Sequence, residues 1–372
     1  MNKKLLPLLA LPLLLAACDP VANTFKIAMV TDVGDIDDKS FNEGTWQGVV
    51  EYAEANDITH QYYKPIAVDN TEYVNTIDLA IDGGAEVVVT PGFLFETPIF
   101  LAQDQHPDVK FILLDGVPHD ANWEVFRQED NVLSILYAEE QSGWLAGYAA
   151  VADGFRNLGF MGGMAVPAVV KFGVGFLLGA QAAAADLETD ELITIQYHYT
   201  GDFADTPKNA ATAQTMFQEG VEVIFAAGGA VGLSVMKEAE ALGKKVIGVD
   251  VNQGPGGADL SDTVITSAMK GLGASVIQAL EVIFEGDWEE EAAGQVWVLD
   301  ATNDGVGLPT DEASWGFENF TVEDYNNIYA ELAARTTTVD LIITNGAVTG
   351  ATEAEIEAYD VLMSAVEVTF VA

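Results

Sequence analysis

Cysteine is almost missing from this chain: Cys18 is the single one in 372 residues, so no intrachain disulfide can form. Cations are scarce too. Fifteen Lys and Arg face 58 Asp and Glu, giving a formal net charge of −43 at pH 7. Such a surface repels nucleic acid and anionic headgroups, and it lacks the basic clusters that hold phosphorylated ligands. Nucleic-acid binding is excluded as a function class. The four histidines (His60, His106, His119, His198) lack metal-ligand spacing and read as surface or loop residues. There is no G-x-x-x-x-G-K-[ST] and no G-x-S-x-G, and the G-x-G steps at Gly173 and Gly271 do not reach a third glycine. With no nucleophile–base pair recognisable, neither an enzyme, a cofactor nor a metal site is expected.

The opening residues read as an export signal. Lys3 and Lys4 form a short basic region, Leu5–Leu15 an apolar run too short to span a bilayer, and Leu15-Ala16-Ala17-Cys18 closes it. L-A-A-C at that point is similar to a bacterial lipobox, and the sole cysteine falls on it. Residues 1–17 are therefore expected to be a lipoprotein signal peptide, with Cys18 diacylated and residues 18–24 a tether. The expected location is the cell membrane, lipid-anchored and facing the extracytoplasmic side.

From Lys26 onward, strand and helix patterns alternate, the signature of βαβ units on a parallel sheet. Strands read at Lys26–Val30, Gln61–Pro65, Glu86–Thr90, Lys110–Leu114 and Asn131–Leu136, with helices between them. A second series of the same rhythm begins at Asn157 and runs through Val264–Met269. The expected fold class is α/β, with two lobes and a cleft between them. Residues 25–138 with about 264–300 are assigned to lobe 1, and 139–263 with about 301–348 to lobe 2. A last strand is possible at Val339–Thr344. Residues 349–372 read as helical and then apolar, an extension without an assigned role.

The stretch Thr31–Gly44 (TDVGDIDDKSFNEG) organises the functional reading. Ser40 and Glu43 stand at the spacing of a capping box, which starts a helix at Phe41 just beyond the carboxyl end of the first strand. As a calcium loop the stretch fails: counted from Asp32, Gly34 and Ile36 stand where oxygen ligands are needed. Several expected strands end near a residue able to grip a ligand: Asp32, Asp115, Phe203, Gly228, Asp250 and Lys270. Two phenylalanines, Phe41 and Phe203, can sandwich a planar ring, while Asn42 and Asp115 can read its edge. Asp250 can accept from a sugar diol, and Lys270 can touch a sugar oxygen and offset the carboxylates. A neutral, flat, hydroxylated ligand fits this set better than a phosphate or a metal.

These residues fall in motifs that resemble the basic membrane protein (BMP) family of lipoproteins, the substrate-binding proteins of ABC importers typified by purine nucleoside receptors. The matching motifs are D-x-G-x-x-D-D-K-S-F-N-E at Asp32–Glu43, E-x-Q-S-G-W-L-A-G-Y-A-A at Glu139–Ala150 and G-F-M-G-G-M-x-x-P at Gly159–Pro167. G-D-F-A-D-x-x-K at Gly201–Lys208, V-I-G-V-D-x-x-Q at Val246–Gln253 and S-x-x-K at Ser267–Lys270 complete the set. The resemblance implies a type I periplasmic-binding-protein fold, two Rossmann-like lobes with parallel sheets joined by hinge crossovers. It further implies base contacts from Phe41, Asn42, Asp115 and Phe203, and ribose contacts from Asp32, Gly228, Asp250 and Lys270. The implied partners are a purine nucleoside and an ABC permease, with the protein itself a monomer. The departures are Asp35, where the family often has a second glycine, the tail after Val348 and the acidity. The competing readings are a binding protein for another small neutral ligand (a sugar or flat-ring vitamin), a sensor lipoprotein, and a nucleoside-cleaving enzyme.

Overall fold

A computed structural model describes residues 26–258, 260–337, 350–359 and 362–371. The signal, Cys18, the tether and the possible strand Val339–Thr344 lie outside the described residues.

Short β-rich apolar runs form two sheets. Strands β1 (Ile27–Val30), β2 (His60–Tyr63), β3 (Val87–Pro91), β4 (Lys110–Leu114) and β5 (Val132–Tyr137) pair in the order 2-1-3-4-5. Strands β6 (Asn157–Gly162), β7 (Ile193–Tyr199), β8 (Val223–Ala227), β9 (Lys245–Asp250) and β10 (Val264–Lys270) repeat that order as 7-6-8-9-10. Every neighbouring pair within these two sets is parallel. Then β11 (Val296–Leu299) joins the first sheet beside β5, while β12 (Val306–Gly307) and β13 (Val366–Phe370) flank the second. Strands β3 and β8 are buried along their whole length, as expected for sheets covered on both faces by helices. In lobe 1 the faces carry α1 (Phe41–Ala55), α2 (Asn70–Asp82) and α3 (Glu96–Gln105). In lobe 2 they carry α4 (Glu139–Asp153), α5 (Pro167–Asp186), α6 (Pro207–Gln218) and α7 (Val231–Leu242), while α8 (Leu272–Glu285) returns to lobe 1. This is the type I periplasmic-binding-protein fold.

Among the described residues the chain passes between lobes three times: at Tyr137–Glu139, at Lys270–Leu272 and between Leu299 and Val306. One lobe boundary needs correcting. Residues from 264 were assigned to lobe 1, but β10 pairs in parallel with β9 (Ser267 opposite Gly248), so the chain stays in lobe 2 until Lys270. An apolar run followed by a helix reads identically whichever sheet it joins. The C-terminal stretch also has a place: its helix is short, Glu353–Glu357, and β13 adds to β7 in parallel with Val368 opposite Ile195.

The start of α4 stitches the crossovers together. Gln141 Oε1 accepts from the Ala301 amide at 2.9 Å, and the Ser142 hydroxyl donates to Met269 O and Gly307 O at 3.2 and 3.3 Å. Helices α4 and α5 lie in backbone contact, because a Cβ at Gly147 would collide with Phe176 O and one at Gly179 with Trp144 O. Helix α5 is long and apolar enough to cross a membrane, yet most of it is buried in lobe 2.

Candidate functional site

The carboxyl ends of both sheets open on one cleft of about 600 Å³. All eight site residues singled out in the sequence line it: Asp32, Phe41, Asn42 and Asp115 from lobe 1, Phe203, Gly228, Asp250 and Lys270 from lobe 2.

On the lobe 1 side, the turn after β1 is held by its own side chains. Asp32 Oδ1 accepts from the Gly34 amide at 2.7 Å and from Asn42 Nδ2 at 2.9 Å. The expected capping box does not form. Ser40 sits at the N-cap position, but its hydroxyl accepts no backbone N–H, and Glu43 reaches back to the Lys39 amide instead. Asp38 does the capping: its buried carboxylate accepts from the amides of Ser40, Asn42 and Glu43 at 2.9, 3.0 and 3.1 Å. Four clustered aspartates hid which one would turn inward. Burial pushes Asp38 up to about 6 despite these hydrogen bonds.

Asp115 follows β4, and Asp250 ends β9, the strand in the equivalent position of the second sheet. Both adopt left-handed backbone, with φ of 57° and 66°, a conformation that costs a non-glycine residue roughly 1 kcal/mol or more and often marks function. Lys270 ends β10 between them. Its ammonium lies 2.5 Å from Asp115 Oδ2, 3.2 Å from Glu139 Oε1 and 3.8 Å from Asp250 Oδ1, and 4.7 Å from the centre of the Phe41 ring. Burial disfavours the lysine's charge, but the three carboxylates outweigh it and hold its pKa above the usual value. Burial raises the pKa of Asp32, Asp115 and Asp250, and Lys270 offsets only part of the rise at the latter two. The cleft thus gathers several carboxyl groups around the Lys270 ammonium, an arrangement that favours neutral ligands over phosphates.

Phe203 reaches the cleft from the loop after β7, its ring packed so closely on Gly163 that a Cβ there would overlap it. Gly228 lies against the same segment, a Cβ on it falling 2.7 Å from the Gly163 amide nitrogen.

Sequence reasoning missed several residues. Ser40 Oγ donates to Asp250 Oδ2 at 2.5 Å, and Gln253 Nε2 donates to Lys39 O at 2.8 Å, both between lobes. Behind the cleft, the buried Glu139 carboxylate pairs at 3.1 Å with the half-buried Lys171 ammonium. Only the charged dipeptide Glu139-Glu140, opening an otherwise small and apolar helix, signalled that pair. The reading of the histidines as surface or loop residues fails at His198, which is buried in β7, whereas His119 is a loop residue between β4 and β5 but a buried one, 3.0 Å from Glu96 Oε2.

Comparison with known proteins gives the family. The Bmp family profile, described as ABC transporter substrate-binding protein PnrA-like, matches residues 25–341. The "ABC transporter nucleoside-binding protein BmpA" of Lactococcus lactis subsp. cremoris is 27% identical over 314 residues, 79% of this chain and 84% of that protein. Basic membrane protein B of Borreliella burgdorferi is 26% identical over 76% of this chain and 80% of its own length. A crystal structure of an ABC transporter solute-binding protein from Aeropyrum pernix K1 superposes with a TM-score of 0.69 at 23% identity, over 92% of this chain and 98% of that one, and shares the fold. The chain belongs to the Bmp family and is a substrate-binding protein of an ABC transporter.

Proposed function

We propose that the cleft binds purine nucleosides for uptake and that the protein is anchored through acyl chains on Cys18. One observation carries the ligand reading: aromatic rings from opposite lobes (Phe41, Phe203) share a cleft with edge-reading groups (Asn42, Asp115) and a sugar-gripping set (Asp32, Gly228, Asp250, Lys270). A stacked base gains dispersion and desolvation energy from both rings, and a ribose diol donates charge-assisted hydrogen bonds to a carboxylate. The Lactococcus relative, named for nucleoside binding, supports the same reading. Ligand contacts drawn from both lobes favour the closed state over the open one, so binding shifts the hinge equilibrium and prepares delivery to the permease.

Calorimetry of the mature chain with inosine, guanosine, adenosine, cytidine and ribose tests the ligand. Purine nucleosides are expected to bind and ribose alone to bind far more weakly. Failure to bind any purine nucleoside overturns the reading. For the anchor, Cys18→Ala is expected to release the protein from the membrane fraction, and a variant that stays membrane-bound removes the lipid assignment.

A further inference from the structure

We propose that Glu139 is a positioning residue for the cleft: buried behind it, its carboxylate ties Lys270 to Lys171 and leaves Asp115 and Asp250 able to turn to the ligand. The residue opens α4 at the first crossover. Oε1 lies 3.2 Å from the Lys270 ammonium and Oε2 3.1 Å from that of Lys171, on α5. The side chain is 2% exposed and does not line the cleft.

The need for it follows from what Lys270 otherwise touches. Its two remaining carboxylates, Asp115 at 2.5 Å and Asp250 at 3.8 Å, both face the ligand space, and Asp115 Oδ1 has no hydrogen-bond partner among the described residues. A ligand that engages them competes with Lys270 for the same oxygens. A buried ammonium stripped of its counter-ions is costly, so binding would strand the lysine. Glu139 is a counter-ion that no ligand can reach. Lys171 holds it from lobe 2 while donating to Tyr137 O at 3.3 Å, and α4 is locked onto α5 by the glycine contacts described above.

The charges around Glu139 divide the labour. Facing it are Lys270 on β10, Lys171 on α5 and its neighbour Glu140, with Asp115 and Asp250 at the ends of β4 and β9 and Tyr137 at the end of β5. Burial pushes Glu139 up, but the two ammonium groups outweigh it and leave its carboxyl below the usual range. Burial raises Asp115 and Asp250, and the charge of Glu139 adds to both. Glu139 therefore stays ionised while the cleft acids sit nearer neutrality.

The binding arm of the test rests on the nucleoside reading, and the titration arm does not. In the ligand-free full chain, carbon NMR of labelled aspartate, assigned with Asp115→Asn, follows the Asp115 carboxyl against pH. Glu139→Gln removes a negative neighbour and is expected to lower the Asp115 midpoint. Lys171→Met removes a positive one and is expected to raise it. Lys171 is 31% exposed, so this variant keeps the test decisive if the buried glutamine does not fold. Glu139→Asp keeps the charge but cannot span both lysines, so its midpoint should stay near wild type while affinity still falls. Inosine affinity is expected to drop about tenfold or more in Glu139→Gln. Unchanged affinity, or lost affinity with no opposite midpoint shifts, overturns the role. If the wild-type chain binds no nucleoside, the midpoints still decide it.

Discussion

The Ser40 hydroxyl donates to Asp250 Oδ2 at 2.5 Å, so the entry of α1 in lobe 1 is bonded directly to the last residue of β9 in lobe 2. The bond ties an interlobe contact to a carboxylate of the cleft. It also lowers the pKa of Asp250 against the burial that raises it. Ser40→Ala leaves that oxygen short of a donor and is expected to cost roughly 1–2 kcal/mol of closed state. Nucleoside binding should weaken about tenfold, and small-angle scattering should report a larger radius in the free protein. A variant with wild-type affinity and radius would show that the bond does not contribute to closure.

The sugar and base roles separate experimentally. Asp250→Asn keeps the shape and the Ser40 contact while removing the charge that accepts from a diol. Inosine affinity should fall by about 1.5–3 kcal/mol, with hypoxanthine affected far less. Equal losses for nucleoside and free base, measured by calorimetry, would remove the ribose role from Asp250.

Stability should rise as pH falls through mild acid. A carboxyl whose pKa is higher folded than unfolded binds protons more tightly in the native state. It therefore costs stability above its folded pKa, and that cost fades as pH drops toward the unfolded value. Asp38, ordinarily near 3.8 and pushed to about 6 here, sets a window between those values, and the raised Asp32, Asp115 and Asp250 act with the same sign. Calorimetric Tm should climb from neutral pH toward about pH 5. Asp38→Asn should flatten part of that slope, and a Tm that falls steadily over the same range would contradict the assignment.

Salt should stabilise the fold strongly. A net charge of −43 makes the compact state repel itself, and at about 1 M salt the screening length shrinks to roughly 3 Å. Melting temperature is expected to rise by several degrees between low salt and about 1 M sodium chloride. A flat profile would show that self-repulsion of the net charge does not limit stability.

Strand positions were legible because buried parallel strands write themselves as short apolar runs: Lys110–Leu114 has in the structure the ends its sequence predicts. Convergence of the eight cleft residues was legible because ligands gather at carboxyl ends of parallel strands. Membership of a sheet was not, as β10 demonstrates: pairing is a long-range choice that local pattern does not encode. Nor was the turning inward of Asp38, Ser40 and Glu139. Each is a polar residue whose burial is compensated by a partner distant in sequence or by three backbone amides, and no local rule distinguishes it from its solvated neighbours.

Strand β13 gives the second lobe a seam that closes late. Its backbone covers the outer edge of β7, with the Ile193 amide on Ala365 O and the Val371 amide on Tyr197 O, both at 2.8 to 2.9 Å. Until synthesis has passed Phe370, β7 presents a bare row of amides and carbonyls, the template on which chains join edge to edge. Lobe 2 thus owes the shielding of that edge to a strand contributed from far along the chain.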